Sequence, residues 1–370
     1  MRIIHLSDIH LATSNIEELK VSYMDKFLDT LSYINNEKQI DLIIISGDII
    51  DKSGMSFSNI KEFIGLNPYD IFESEFLKPI MNKIPSLINR IVFCAGNHDI
   101  ESSKIKKITE AGLEKLLTSS QSVNELMKEH LSKNSELNLE RLESFLQFER
   151  KVHQYSISTG DYLCSEFESK FLIRYEKKLI GIALINDSWR CSVKAVENNI
   201  IGTNQFHRCL KFFKENKTDF NIAVIHHPIE TLIKFEQKEI EDLLHYQNFQ
   251  VVFVGHEHNK RVRESNYGNG NKILELRGRS AFDKPHEIEA NYQSGFSIVD
   301  IDFEKYSITC QFIKYYKNDI SFKPDLEDGE AMKIFYFGVS EKIMEKVKTE
   351  KESFLFNLDK SKFINKPEDE

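Results

Sequence analysis

Side chains that commonly bind metal ions recur directly after short apolar runs of this sequence. Each apolar run is predicted to be a β-strand, and in open α/β sheets ligands bind at the carboxyl ends of the strands. One histidine or aspartate after a strand is usually structural, but the same placement after five strands is hard to obtain from packing alone. The set therefore predicts a metal site. Its members are Asp8 and His10, Asp48, Asn97 and His98, His226 and His227, and His256 and His258.

The runs that would position these side chains are continuously apolar and alternate with helical patterns. The first three cover residues 2–6, 41–45 and 90–94, and a helix is predicted over 19–34. Strands that are apolar throughout are typical of a sheet covered on both faces. Further strands are predicted over 171–173, 179–185, 221–225, 249–254, 272–276, 296–301 and 307–313.

Residues from about 101 to 155 differ from the regions on either side. Their apolar residues recur at helical spacing, charged residues are frequent, and no strand pattern is evident. We expect a helical insertion or cap between two halves of the core. Ordinary surface helices explain the pattern as well as a substrate-gating role does.

Five sequence blocks give the metal-binding residues a family context. In their order along the chain they resemble the motifs of the calcineurin-like metallophosphoesterase superfamily, over roughly residues 1–100 and 171–300. The resemblance implies a four-layer α/β/β/α sandwich. We expect a metallophosphoesterase domain over 1–320, with the helical insertion at about 101–160, and a partly irregular C-terminal extension over 321–370. The resemblance does not cover the insertion or the extension. The blocks are Asp8-Ile9-His10, Gly47-Asp48, Gly96-Asn97-His98-Asp99, His226-His227-Pro228 and Gly255-His256-Glu257-His258.

The same resemblance implies two divalent metal ions and a hydroxide that bridges them and attacks a phosphate ester. Asp48 would bridge the two metals. Mixed nitrogen and oxygen ligands suit Mn, Fe or Zn better than Ca or Mg, and we favour Mn. One metal would take Asp8, His10, Asp48 and His258, and the other would take Asp48, Asn97, His226 and His256.

Two further residues of the third block are candidate catalytic residues. By resemblance, His98 contacts the scissile phosphate and protonates the leaving oxygen. Asp99 would either orient the His98 imidazole or cap the helix that follows. For His227 we expect a structural role, because the family usually binds metal through the first residue of that pair.

Cationic side chains after the last block are candidates for substrate binding. Arg261, Arg277 and Arg279 could rim the metal site, together with Lys260 and Arg263, and hold a phosphate backbone. Solvated surface charge is the alternative reading. Trp189, the only tryptophan, follows a strong strand and would either stack on a base or pack in the core.

Three substrate classes remain open. The opening segment Ile4-His5-Leu6-Ser7-Asp8-Ile9-His10-Leu11 resembles the nuclease subunit of DNA-break repair complexes, which favours phosphodiester bonds in DNA or RNA. The His226-His227-Pro228 block favours a cyclic-nucleotide phosphodiesterase instead. A phosphomonoesterase acting on proteins or small molecules is the third alternative.

Bulk properties limit the remaining classes. The net charge of −9 argues against a globally basic nucleic-acid binder but leaves room for a local basic groove. No apolar run approaches the ~18 residues that span a bilayer, the first residues lack the pattern of a signal peptide, and the five scattered cysteines are typical of reduced thiols. We therefore expect a cytoplasmic protein without membrane contact. A protein partner could bind through the insertion or the C-terminal extension.

Overall fold

Two β-sheets stand at the centre of this computed structural model, which describes residues 1–133, 137–192, 199–246, 249–266, 272–282, 294–326 and 332–337. Each sheet has seven strands. The strands are β1 (Arg2–Leu6), β2 (Leu42–Ile45), β3 (Ile91–Phe93), β4 (Tyr162–Cys164), β5 (Glu168–Tyr175), β6 (Lys178–Ile185), β7 (Phe220–Ile225), β8 (Val251–Val254), β9 (Arg261–Asn266), β10 (Lys272–Arg277), β11 (Gly295–Asp302), β12 (Ser307–Tyr316), β13 (Ser321–Pro324) and β14 (Met332–Tyr336).

The first sheet joins the two ends of the described chain. Its order is β13-β12-β11-β1-β2-β3, and β14 also pairs with β12. β1, β2 and β3 are parallel, so their carboxyl ends meet at one edge. The second sheet has the order β4-β5-β6-β7-β8-β10-β9, with β6, β7, β8 and β10 parallel.

Alternating side chains of the strands supply two different cores. Leu42 and Ile44 of β2 point into a core between the two sheets, where they join Ile182 and Val224 of the second sheet. Ile43, the residue between them, points to the opposite face and into a core shared with helices. A third core lies between the second sheet and two further helices. The predicted four-layer α/β/β/α sandwich is confirmed.

The helices form the outer layers. The α-helices are α1 (Ile16–Glu18), α2 (Met24–Glu37), α3 (Pro68–Phe72), α4 (Lys78–Lys83), α5 (Lys107–Leu116), α6 (Ser120–Leu131), α7 (Glu143–Val152), α8 (Gln154–Thr159), α9 (Asn204–Asn216) and α10 (Lys234–Tyr246). π-helical turns cover Leu19–Tyr23 and Glu73–Leu77. 3₁₀ helices cover Asp51–Asn59, Pro85–Leu87, Ser102–Lys104, Leu139–Leu142, Ile229–Thr231 and Lys317–Asp319. The first of these is interrupted by a kink at Lys52, Ser53 and Gly54, which have positive φ angles.

The region predicted as a helical insertion contains α5 to α8. Apolar residues of these helices, among them Leu113, Val123 and Phe145, belong to the same core as the helix-facing side of the first sheet. The insertion therefore packs on the sandwich itself. Of the predicted C-terminal extension, β13 and β14 pair with β12, and residues 338–370 lie outside the described residues.

Edge strands account for most of the differences from the sequence-based expectation. β4, β9, β13 and β14 were not predicted, because their sequences are polar or short and lack the continuous apolar pattern of the central strands. Among the described residues, none of the helices combines the length and the apolar character that crossing a bilayer requires.

Candidate metal centre

Five parallel strands end at the same place in the molecule. β1, β2 and β3 of the first sheet and β7 and β8 of the second sheet each lead into a loop that carries predicted metal ligands. The ligand atoms of these loops lie within a few ångströms of one another. All seven predicted ligands are brought to this edge: Asp8, His10, Asp48, Asn97, His226, His256 and His258.

One group of ligand atoms comes from the β1 and β8 loops. The Nε2 atoms of His10 and His258 are 3.2 Å apart, and Oδ1 of Asp8 lies 3.5 Å from Nε2 of His258. Two ligand atoms ~2.1 Å from one ion, at tetrahedral or octahedral angles, are separated by about 3.0–3.4 Å. The separation of His10 and His258 lies in this range, whereas Oδ1 of Asp8 lies slightly beyond it from His258 and 3.9 Å from Nε2 of His10.

A second group comes from the β2, β3 and β7 loops. Nε2 of His226 lies 3.3 Å from Oδ2 of Asp48 and 3.0 Å from Oδ1 of Asn97. His256 is adjacent, with its ring centroid 5.3 Å from that of His226. The same Oδ2 of Asp48 is also 3.6 Å from Nε2 of His10, so this carboxylate lies between the two groups.

The backbone at the ligands is unusual. Asp8, His10, Asp48, His256 and His258 all have positive φ angles, of 51°, 47°, 53°, 70° and 56°. Left-handed backbone in residues other than glycine costs of order 1 kcal/mol or more each and is concentrated at functional sites. The ligand loops are therefore held in a conformation that local preferences oppose.

Two glycines permit the close packing of these loops. A Cβ atom on Gly96 would lie 2.2 Å from Oδ1 of Asp48, and a Cβ atom on Gly255 would lie 2.2 Å from Oγ of Ser7. No larger residue fits either position without displacing a ligand loop.

Hydrogen bonds from outside the ligand set orient the ligands. Nδ1 of His226 lies 2.8 Å from the Ser46 carbonyl oxygen, which leaves Nε2 to face the site. The backbone N–H of His256 donates to the Asp8 carboxylate at 3.1 Å. Such outer contacts commonly fix the tautomer and direction of metal ligands.

Asp187 is a supporting residue that the sequence reasoning missed. Its Oδ2 accepts hydrogen bonds from the backbone N–H groups of His226 and His227, at 2.9 and 2.7 Å, and its Oδ1 lies 3.0 Å from Nδ1 of His227. His227 also forms a group with His226 and His256 whose ring nitrogens could hold a metal ion, so the structural role expected of His227 stays a prediction. Asp187 follows strand β6 as the ligands follow their strands, so the same signal could have identified it.

The electrostatic environment favours the metal-binding protonation state at Asp48 and His10 but not at His226. Burial alone would lower the pKa of His226, but the charge of Asp48 raises it well above its usual value. Burial alone would raise the pKa of Asp48, but the charge of His226 holds it well below its usual value. Burial lowers the pKa of His10, which keeps this imidazole neutral. Ionised carboxylates and neutral imidazoles are the metal-binding forms.

His98 is paired with Asp51 and not with Asp99. Nδ1 of His98 lies 2.6 Å from Oδ1 of Asp51. Burial alone would lower the pKa of His98, but the hydrogen bond and charge of Asp51 raise it above its ordinary value. Asp51 was not predicted, although it lies only three residues after Asp48.

The prediction that Asp99 orients His98 is therefore wrong, and so is the helix-cap alternative. The buried Asp99 carboxylate accepts hydrogen bonds from the backbone N–H groups of Gly96, at 2.8 Å, and of Ile49 and Ile50, at 3.1 and 3.2 Å. Asp99 therefore connects the β2 loop to the β3 loop through backbone hydrogen bonds. Burial and the nearby Asp48 raise its pKa to about 7.

The side chains of three of the five cationic residues predicted to rim the site are buried in ion pairs elsewhere, among them Lys260, whose Nζ lies 3.0 Å from Oδ2 of Asp325. Arg277 and Arg279 are buried, Arg277 among three glutamates and Arg279 against Asp325, so the expectation that they contact substrate is wrong. Arg261 has 58% of its side chain exposed, and its guanidinium is 3.8 Å from Glu230.

Trp189 belongs to the core. Its side chain is completely buried and meets the Phe167 ring edge-on, with centroids 5.6 Å apart. The base-stacking alternative is therefore wrong.

The metal-binding edge opens to solvent through a cleft of about 280 Å³. Among the described residues, this cleft is lined by neither lysine nor arginine. The lining residues are His10, Ala12, Ser14, Asn15, Asp48, Asp51, Asn97, His98, His256 and His258.

Comparisons with known proteins agree with this picture. The model of a family described as calcineurin-like phosphoesterase matches residues 1–260. An uncharacterized metallophosphoesterase-like protein of Bacillus subtilis (strain 168), YydB, is 20% identical over 283 residues, which make up 75% of this chain and 52% of that protein. The chain thus spans about half the length of this curated relative.

Two solved structures illustrate the range of similar proteins. The NAD nucleotidase NadN of Haemophilus influenzae is 11% identical, with a TM-score of 0.43 over 86% of this chain and 54% of that one. GAP50 of Plasmodium, an anchor in the inner membrane complex, is 11% identical, with a TM-score of 0.41 over 92% of this chain and 89% of that one.

Proposed function

Because this chain belongs to the calcineurin-like phosphoesterase family, we propose that it is a phosphoesterase that binds two divalent metal ions and hydrolyses phosphodiester bonds. The observation that carries the proposal is the position of Asp48. One oxygen of its carboxylate lies 3.3 Å from Nε2 of His226 and 3.6 Å from Nε2 of His10, between two groups of ligand atoms.

The proposed ligands divide between two ions. Asp8, His10 and His258 would hold one ion, and Asn97, His226 and His256 would hold the other, with Asp48 common to both. When bound, two such ions supply Lewis acidity towards the phosphate oxygens and lower the pKa of bound water towards ~7. Nitrogen-rich donors favour Mn, Fe or Zn over Ca and Mg, and we propose Mn.

His98 is the proposed general acid. It lies at the cleft beside His10, with ring centroids 4.5 Å apart, and Asp51 binds its Nδ1. That hydrogen bond leaves Nε2 as the atom that can give a proton to the leaving oxygen of the ester. Because the pKa of His98 is raised, its imidazole stays protonated up to a higher pH than that of an unperturbed histidine.

The charge of the cleft favours a diester over a monoester. A phosphomonoester carries nearly two negative charges at neutral pH, whereas a phosphodiester carries one. The proposed metal ions and His98 would balance part of the substrate's charge. The described lining of the cleft contains no lysine or arginine that could balance a second negative charge. Nucleic acid remains our favoured diester because of the opening segment, although only Arg261 and Arg263 of the predicted cationic set are exposed.

The test compares two chromogenic substrates with one leaving group. Purified protein is stripped of metal, reloaded with Mn²⁺ and assayed with bis-para-nitrophenyl phosphate and with para-nitrophenyl phosphate. We expect no turnover without metal, recovery with Mn²⁺, and a higher kcat/KM for the diester. Undiminished turnover after complete metal removal would overturn the metal-dependent mechanism, and a preference for the monoester would assign the protein to the phosphomonoesterases.

A further inference from the structure

Arg277 is a buried residue that forms ion pairs with three glutamates close to the proposed metal ligands. Its side chain is completely buried. Nε lies 2.7 Å from Oε1 of Glu275, Nη1 lies 2.6 Å from Oε2 of Glu257, and Nη2 lies 2.5 Å from Oε1 of Glu230. All three nitrogens of the guanidinium therefore bind a carboxylate, each from a different residue.

Two of these carboxylates belong to the loops that carry proposed ligands. Glu257 stands between His256 and His258 in the β8 loop. Glu230 lies in the 3₁₀ helix Ile229–Thr231, which directly follows His226-His227-Pro228 in the β7 loop. Glu275 precedes Arg277 by two residues on β10, which is the strand paired with β8. Arg277 thus joins the β7 loop to the β8 loop from a neighbouring strand.

The β8 loop needs such an anchor. His256 and His258 have φ angles of 70° and 56°, in the left-handed region that residues other than glycine avoid. A strained backbone persists only where the surroundings hold it. The carboxylate of Glu257 lies on the residue between the two strained positions, and Arg277 fixes that carboxylate.

We propose that Arg277 is a positioning residue that holds the β7 and β8 loops in the arrangement required for metal binding. The proposal rests on the metal centre described under the proposed function. It assigns to Arg277 a role through the supporting glutamates, without contact to substrate or metal.

Charge and position predict opposite effects of removing Arg277. A guanidinium close to the site repels a metal cation, so an electrostatic role alone predicts that its loss strengthens metal binding. A positioning role predicts that its loss weakens metal binding, because three carboxylates are left without their common partner and repel one another. The sign of the change therefore separates the two roles.

The experiment measures Mn²⁺ affinity by isothermal titration calorimetry on metal-stripped protein, with thermal unfolding of the metal-free protein as the check on folding. Arg277→Met should weaken Mn²⁺ binding by about 10–100-fold, the range typical of lost supporting contacts. Arg277→Lys keeps the charge but cannot reach three carboxylates as a planar fork does, so it should also weaken binding. Unchanged or tighter Mn²⁺ binding by a folded Arg277→Lys or Arg277→Met protein would overturn the proposal.

Arg141→Met is the matched control. Arg141 is equally buried and is held by Glu110 and by the Cys191 carbonyl oxygen, but it supports the helical insertion and not a ligand loop. This variant should lower the unfolding temperature while leaving the Mn²⁺ affinity of the folded protein unchanged. A wild-type protein that binds no Mn²⁺, Fe²⁺ or Zn²⁺ would contradict the metal centre itself, which is a result distinct from failure of the Arg277 variants.

Discussion

At the scale of single residues, Asp48 links both halves of the proposed centre. Its Oδ2 faces His226 and His10, and its Oδ1 accepts a hydrogen bond of 2.7 Å from the backbone N–H of His98. The carboxylate therefore couples the two ligand groups to the candidate general acid. We therefore expect replacement of Asp48 to weaken metal binding, and to lower activity as a consequence.

Asp48→Asn should remove metal and activity together. The amide keeps the size of the side chain, but the neutral group loses the charge that balances two cations. We expect elemental analysis to find less than half of the wild-type metal content, with turnover of the chromogenic diester falling in parallel. The control is Asp70→Asn, an exposed aspartate paired with Lys151, which should keep both. Full metal content with lost turnover would instead make Asp48 a purely catalytic group.

His98 and its partner Asp51 should affect catalysis without affecting metal content. His98→Ala should lower kcat by roughly 10²–10⁴-fold, the range of a general acid. Asp51→Asn removes the group that raises the pKa of His98, so the protonated form is lost at lower pH. The alkaline limb of the pH–rate profile should therefore move to lower pH in Asp51→Asn. Loss of metal from either variant would show that the pair supports the metal site and not proton transfer.

At the scale of secondary-structure elements, the insertion helices are held to the sandwich by buried and partly buried polar contacts. Glu110 of α5 pairs with Arg190 at 2.6 Å, and Asn124 of α6 donates to Thr203 Oγ1 at 2.7 Å. In α7, the buried Glu149 accepts a hydrogen bond of 2.7 Å from the Tyr162 hydroxyl. These contacts make the insertion part of the folded core.

Glu149 should make the stability of the protein depend on pH. Burial raises its pKa from 4.5 to about 7, so the folded state favours the protonated form. Its contribution to stability is complete below about pH 4.5 and is lost as the pH rises through 7. Glu149→Gln imitates the protonated form and should therefore raise the free energy of unfolding at pH 8 by up to ~3 kcal/mol.

Chemical denaturation at pH 5 and pH 8 measures this effect. The gain should be small at pH 5, where wild-type Glu149 is already protonated in the fold. Glu143→Gln, on the exposed side of the same helix, should change stability by less than ~0.5 kcal/mol at both pH values. An equal gain at both pH values would mean that Glu149 is not the titrating group.

At the scale of the whole molecule, the sandwich brings one edge of each sheet together. Strands β1 to β3 lead into loops that carry four of the seven proposed ligands, and strands β7 and β8 lead into loops that carry the other three. The core between the sheets, with Ile44 and Val224 among its members, sets the distance between these edges. The proposed centre is thus a property of how the two sheets pack.

The charge distribution of the molecule predicts a weak dependence of DNA cleavage on salt. Each phosphate neutralised by a cationic side chain adds roughly 0.9 to the slope of log affinity against log salt concentration. Arg277 and Arg279 are buried in ion pairs, and the described cleft lining contains no lysine or arginine. The slope for cleavage of double-stranded DNA should therefore not exceed ~2, measured as kcat/KM between 50 and 200 mM salt.

The chromogenic diester serves as the reference in that series, because its turnover reports any salt effect on the metal site itself. A slope of 6 or more for DNA, with a flat response of the small diester, would reveal a basic surface outside the described cleft. Inert DNA combined with rapid hydrolysis of cyclic AMP would favour the cyclic-nucleotide alternative.

The residue types after the central strands determined the fold class and the proposed ligands. Continuous apolar strands such as residues 41–45 must be buried on both faces, and chain order alone puts Asp48 or His226 at the end of such a strand. Local sequence is sufficient for these conclusions because hydrophobic pattern and strand direction are local properties. The four-layer sandwich and the family followed from the resemblance of the five motif blocks to the metallophosphoesterase superfamily.

The partners of charged side chains were decided only by the tertiary structure. Sequence placed Asp99 beside His98, but the turn directs Asp99 towards the backbone of residues 49 and 50 and leaves Asp51 to bind the imidazole. The sequence likewise predicted that Arg277 contacts the substrate. In the structure it instead pairs with three glutamates, two from neighbouring loops and one from its own strand. Which charged residues pair depends on which distant segments of the chain come into contact. Because an unpaired buried charge is very costly, each buried charge takes its partner from the segments packed around it.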